Sequence, residues 1–335
     1  MLEIVVAAGV AAAAAAGMRV AAKWRRQHSE AWTAAAASVG GRFVPRAGSW
    51  WKPTAAHVLA TFARGVEVAV DHYTVSTGKS STTYTRVQAV APGADELEIK
   101  LRKEGVVASM GKALGFGELV VGDAAFDARY FVRTNDDELA RAWLQAGVRA
   151  ALMATGSEYE VVLHKGRVKA QRVGIELVPA RLEAAMRAVA ALAAGGRGLV
   201  ASWRALAAEL GGRYVGPDDA FVPGRVRIDG ESAGHVVAVV TDADAASGTR
   251  VRRELGRKDA PRFELGAGGA LADVAALGAG AGAGEAWQAV QPARLECDGE
   301  GIVVTWPGYV ADAARVRAAF RLLGAVLTGA PVPYR

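Results

Sequence analysis

The sequence predicts an α+β protein: two tandem related modules, each a mainly antiparallel sheet packed against helices, behind an N-terminal hydrophobic helix. Three observations predict it. Residues 31–45 (AWTAAAASVGGRFVP) recur at 202–216 (SWRALAAELGGRYVG) with eight of fifteen positions identical. Both halves of the body end in the same order, two short strands around a turn and then an amphipathic helix. Several strands alternate apolar and polar residues, the pattern of a sheet with one dry and one wet face. Self-similarity of this kind sets the fold reading, because each copy has to bury its own core. The expected boundaries are 1–26 for the hydrophobic helix, 27–196 for the first module with an insert at 103–156, and 197–335 for the second module.

Taking the elements in order, residues 4–18 form an unbroken apolar run of 15 residues, about 22 Å as a helix. That is short of the ~20 residues that usually span a bilayer. Arg19 can snorkel to the headgroups, and Lys23, Trp24, Arg25 and Arg26 supply an interfacial aromatic and a positive flank. The expectation is a single-pass anchor in a bacterial inner membrane, residues 2–26 in contact with lipid and the body on the cytoplasmic side. A cleaved signal peptide would need a positive start, and the chain opens Met1-Leu2-Glu3.

The body follows. Trp32 and Trp203 each lead a short helix, and the pairs Gly40-Gly41 and Gly211-Gly212 stop it as caps with positive φ. Strands are expected at 66–71, 84–90, 97–102, 235–241 and 262–265. Residues 76–83, all Ser, Thr, Gly or Lys, read as an exposed hairpin connection. Within the insert, a strand is expected at 127–133 and a helix from Asp136, with Thr134 and Asp137 at capping-box spacing. Hairpins turn at Lys165-Gly166 and Asp298-Gly299. Helices close the halves at 179–194 and 309–327. Residues 266–284 read as a Gly/Ala low-complexity linker.

Composition sets limits. The chain has 335 residues, 52% apolar and 22% charged, enough for real cores. Of its net charge of +6, the first 26 residues carry +3 (Arg19, Lys23, Arg25 and Arg26 against Glu3), leaving +3 for the remainder. So mild a surplus is no nucleic-acid signature. The basic stretch at 250–262 is interleaved with acids and reads as a solvated strand pair. With Cys297 as the single cysteine, no intramolecular disulfide and no cysteine-rich metal centre can form.

The first module resembles a family of uncharacterised bacterial proteins, many with an N-terminal membrane anchor. The matching pieces are Trp32 and Ala36 leading into Gly40-Gly41-Arg42, then Tyr73-Thr74-Val75-Ser76-Thr77-Gly78. Tyr84-Thr85-Arg86-Val87 follows, and then Gly122-Asp123-x2-Phe126-Asp127 running into Tyr130-x-Val132. The match covers about residues 1–195 and returns in part over 199–330. It implies an anchored α+β body and brings no activity, cofactor or catalytic residue.

Candidate chemistry is sparse. Gly78-Lys79-Ser80 has the ending of a phosphate-binding loop, but Tyr73 stands where the loop needs its first Gly, and β-formers follow instead of a helix. The alternating glycines from 278 to 284 lack dinucleotide spacing. His28, His57, His72, His164 and His235 show no metal-ligand spacing. Asp123 and Asp127 read as a turn cap and a strand start rather than an acid–base pair. Asp242-x-Asp244 lacks further calcium ligands. Trp50-Trp51, between Pro45 and Pro53, is the best candidate for an interaction surface, because adjacent Trp residues in an extended segment cannot share one core. Lys79 joins it as an exposed cation. No catalytic residue, cofactor or metal is expected. The function predicted is binding by an anchored protein, with a small-molecule hydrolase or transferase and a structural envelope component as the alternatives.

Overall fold

The computed structural model describes residues 2–45, 56–103, 119–156, 158–232, 235–241, 249–254, 263–266, 283–291, 293–297, 300–306, 308–310 and 313–328. The fold is α+β with two antiparallel sheets. The first sheet contains β1 (Arg42–Val44), β2 (His57–Phe62), β3 (Val66–Ser76), β4 (Ser81–Val90), β5 (Ile99–Lys103), β6 (Tyr130–Thr134), β7 (Glu160–His164) and β8 (Arg167–Val173). Its order is β1-β2-β3-β4-β8-β7-β5-β6. The second contains β9 (Arg213–Val215), β10 (Arg227–Ser232), β11 (His235–Thr241), β12 (Thr249–Glu254), β13 (Phe263–Leu265), β14 (Arg294–Cys297) and β15 (Gly301–Trp306). Read from β9, its order is β9-β10-β11-β12-β15-β14-β13.

The two orders correspond strand for strand, with β6 the strand that the second sheet lacks among the described residues. The registers correspond as well. One row of partners crosses the first sheet through Phe43, Val58, Val70, Val87, Ala170, Val161 and Leu101. The equivalent row crosses the second through Tyr214, Ile228, Val239, Val251, Val304, Leu295 and Leu265. Side chains two residues apart share a face, so these rows, as far as Leu295 in the second sheet, mark the dry side. From Val58 to Leu101 the first row is fully buried, and Ile228, Val239, Val251, Val304 and Leu295 are buried in the second.

α1 (Leu2–Ser38) is one unbroken helix of 37 residues, about 55 Å long. The expected boundary after residue 26 is therefore no break in the backbone. Ala31, Trp32, Ala35 and Ala36 are buried on the first sheet, whereas Arg19, Val20 and residues 22–27 are exposed. Among the described residues, no single helix is long and apolar enough to cross a membrane. The bent pair α5 (Pro179–Ala193) and α6 (Gly195–Glu209), which turns by 49°, meets the length and composition requirement. It lies on the sheets instead, burying Leu182, Met186, Val189, Leu199 and Trp203.

The Gly-Gly caps form as predicted. Gly40 and Gly211 take φ of +66° and +65°. The amides of Gly41 and Gly212 donate to the carbonyls of Ala36 and Ala207 at 2.8 and 2.9 Å. The second glycine of each pair is fixed by proximity. A Cβ at Gly41 would lie 2.8 Å from the Leu59 carbonyl, and one at Gly212 the same distance from that of Asp229.

Several expectations are corrected. The strand expected at 127–133 begins only at Tyr130: α2 (Ala124–Asp127) precedes β6, because Asp123 caps a helical turn by accepting from the Phe126 amide. The insert's helix is α3 (Asp137–Trp143) with Asp136, not Thr134, as its cap, and α4 (Ala146–Ala154) follows it. The closing helix of the second half, α8 (Ala313–Thr328), starts later than expected. The glycine-rich linker runs into α7 (Ala283–Val290), with residues 267–282 outside the described residues. The expected module boundary at 196–197 falls inside α6. Arg253 is buried rather than solvated. It shares the dry face of β12 with Val251 and donates to the Leu323 carbonyl at 2.9 Å, and burial pushes its guanidinium pKa down. β2 and β10 have no sequence expectation at all.

Candidate functional site

Of the candidate interaction residues, Trp50 and Trp51 lie outside the described residues. Lys79 is exposed on the β3–β4 turn. That hairpin is longer than its sequence suggests, since pairing continues to Ser76 and Ser81. The connection shrinks to four residues, in which the Thr77 amide donates to the Ser80 carbonyl at 2.9 Å. Gly78 has φ +81°, as the first central residue of a primed hairpin turn requires. The turn is no phosphate loop, because no helix N-terminus follows to aim amides at an anion.

The first sheet gathers titratable groups at the end where α1 leaves it. His28 of α1 sits against His72 of β3, with ring centroids 5.3 Å apart, and Trp32 packs on both at 4.4 and 5.9 Å. Burial pushes the His28 imidazole pKa down to about 4, with the neighbouring His72 adding to the shift. A positive charge there would lose its water, so the ring stays neutral at pH 7. Beneath it, Trp32 donates its indole N–H to the Glu176 carbonyl at 2.9 Å. The Glu176 amide donates to the Thr85 hydroxyl at 2.8 Å. The buried Glu176 carboxylate accepts from the Val178 amide and from Arg172. Arg172 also pairs with Glu158, which in turn pairs with Arg181. Tyr159 lies buried beside them, and its phenol pKa is raised first by burial and then by Glu176.

This cluster is the polar centre that reading along the chain misses. A signal for it exists in the comparison of the two halves. Counting from the paired positions Ala170 and Val304, Arg172 corresponds to Trp306, Glu176 to Val310 and Tyr159 to Ala293. The second half fills with apolar atoms what the first half fills with charges. One feature is common to both: the Val310 amide donates to the Thr249 hydroxyl at 2.8 Å, as Glu176 does to Thr85.

Asp123 and Asp127 have structural roles, and Asp242 and Asp244 lie outside the described residues. Asp127 accepts from the amides of Val121, Gly122 and Asp123. Asp123 pairs with Arg149, which holds its carboxyl below the usual range, helped by the Phe126 amide. Among the described residues, no group of three His, Cys, Asp or Glu could hold a metal ion. The described residues line open clefts, two of which bear on this end of the fold and on α6. One of about 440 Å³ lies between α1 and the start of α5, lined by Gln27, Glu30, Ala31, Ala34, Leu177 and Pro179. The other, about 540 Å³, is lined by Arg64, Arg197 and Arg204 with Asp218 and Asp219. There Arg197 donates to the Arg64 carbonyl and Arg204 pairs with Asp218. Comparison with family models, with curated proteins and with solved structures returns no match.

Proposed function

We propose that the protein is a membrane-attached binding protein, built from two copies of one α+β module and acting by contact rather than catalysis. Residues 2–26 hold it to a bacterial inner membrane with the body on the cytoplasmic side. Support for two copies comes from the matching strand order and registers, the paired Trp-to-Gly-Gly helices, and the Thr85 and Thr249 hydroxyls in equivalent bonds. Support for attachment comes from the apolar run at 4–18 and the exposed basic turn after it, which leave the body on one continuous helix.

The observation that carries the binding reading is how the charged groups of the polar cluster are spent. Glu176 and Arg172 satisfy one another beneath α1, and Arg172 and Arg181 share Glu158 at the surface beside them. General acid–base work needs a group within hydrogen-bond reach of a substrate, and these groups are turned to structural partners. Alkaline carbonate extraction tests the attachment. Full-length protein is expected to stay with the membrane, and a chain beginning at Gln27 to be soluble and folded. Release of the full-length protein by carbonate would refute it. Capture from the native membrane, with partners identified by mass, then tests the contact reading.

A further inference from the structure

We propose that the end of the first sheet from which α1 departs is a second membrane contact, in which an anionic bilayer surface receives the β3–β4 turn and the loop between β8 and α5. This rests on the attachment through residues 2–26 proposed above. It adds that the body is held in one orientation against the headgroups instead of hanging from a tether.

Five of the eight large apolar side chains exposed among the described residues gather at this end. Val20, Trp24, Val75, Val173 and Val178 are between 42 and 64% exposed. They belong to three segments that meet there. The Gly174 amide, next to Val173, donates to the Thr83 carbonyl at 2.8 Å, joining the β8 end to the hairpin. Leu177 and Pro179, on either side of Val178, share a cleft with Gln27 and Ala31 of α1. Val75 lies on the part of the hairpin that overhangs the sheet, beyond the last β4–β8 pair at Thr85 and Arg172.

The charges on these segments favour lipid over a protein groove. Arg19, Lys23, Arg25 and Lys79 make no ion pair with a described residue. The acids nearby are committed: Glu30 to Arg26, Glu158 and Glu176 to Arg172. Scattered valines and a tryptophan among cations that pair with no described residue suit the interfacial layer, where apolar tips enter between headgroups and each cation near an anionic surface gains about 1 kcal/mol.

The dimensions agree. α1 and β3 touch where His28 meets His72. From that contact, Gly78 at the tip lies six strand residues away, about 20 Å. The same distance along α1 is about thirteen residues, reaching position 15, within the apolar run. With α1 taken parallel to β3, position 15 is three residues inside the end of the run, about 4.5 Å, so the turn reaches the boundary between headgroups and acyl chains when the run lies in the bilayer.

The test uses full-length protein in vesicles of phosphatidylcholine alone or mixed with phosphatidylglycerol. A fluorophore is attached at Thr77→Cys or, at the opposite end of β4, at Val90→Cys, each with Cys297→Ala, and the bilayer contains headgroup-labelled quencher lipid. The Thr77 label should be quenched several-fold more than the Val90 label in phosphatidylglycerol vesicles, and the difference should shrink as salt rises. Lys79→Ala should lower the docked-to-undocked ratio roughly five-fold. Carbonate-resistant protein whose Thr77 label is quenched no more than its Val90 label overturns the docking and leaves the attachment standing. Protein that carbonate releases from the vesicles overturns both.

Discussion

Trp32 and Trp203 occupy equivalent places, both fully buried, yet their indole N–H groups differ. Trp32 donates to the Glu176 carbonyl at 2.9 Å, whereas that of Trp203 meets no acceptor among the described residues. Replacing either with Ala should cost roughly 3–5 kcal/mol, the usual cost of emptying a large aromatic site. Replacement with Phe separates the two. Both substitutions lose ring volume, worth about 1 kcal/mol. Trp32→Phe also leaves the buried Glu176 carbonyl without this donor, adding about 1–3 kcal/mol. Trp203→Phe removes a donor whose burial was uncompensated, which offsets part of the volume loss. Trp32→Phe should therefore be the more costly by about 1–3 kcal/mol. For modules of this size that is roughly 2–12 °C in Tm. Urea denaturation followed by circular dichroism and by near-ultraviolet signals reads the difference and checks that the transition is two-state. Equal costs, or a larger loss at Trp203, would refute the assignment of unequal hydrogen bonding to equivalent sites.

His28 has its pKa depressed to about 4 in the folded state, below the unfolded value of ~6.5, so the unfolded chain binds more protons in that window. Stability should be complete above about pH 6.5 and fall as pH drops toward 4. Subtracting the profile of His28→Phe from that of the wild type, in urea midpoints, isolates this term from the carboxylates, and identical profiles would contradict it. Gly41→Ala and Gly212→Ala should each cost roughly 1–3 kcal/mol, because the new methyl meets a carbonyl at 2.8 Å; a neutral result at either would mean the helix-to-strand corner can open. Calorimetric titration with ATP or GTP should give no micromolar binding, with or without Lys79→Ala; micromolar binding abolished by that substitution would show the hairpin turn to be a nucleotide loop. Lys79→Ala should leave stability within about 0.5 kcal/mol, as for an exposed turn residue.

Helix and hairpin signals were legible where they were local. The Gly-Gly caps need a positive φ at one residue, and a short stretch of chain suffices to specify that. The turn at Lys165-Gly166 and the helix α5 from Pro179 follow from turn chemistry and apolar spacing in the same way. β2 was not legible. Only Val58 and Ala60 of its alternating inner positions are buried apolar residues, and Leu59 faces outward at 41% exposure. Its pattern thus contrasts weakly, and it is a strand because β1 and β3 pair with it on either side. The Thr134 cap expected from spacing yielded to Asp136, whose carboxylate reaches the Leu139 amide at 2.9 Å.

The sequence by itself determined the class of fold, the repetition of its helix corners, and the separation of a basic, apolar N-terminal segment from a mildly charged body. These depend on periodicity and composition, which are properties of neighbouring residues. The tertiary structure alone decided which groups meet across long separations. Arg253 lies in a basic run and reads as solvated, but the strand's parity turns it under α8. Glu176 lies in an exposed-looking loop and becomes the buried link between α1, β4 and Arg172. Val75 and Val173 are far apart in sequence, and strand order brings their segments together where the Gly174 amide donates to the Thr83 carbonyl. Burial and charge pairing are set by strand order and by which face a register turns inward, and no local stretch of chain contains that information.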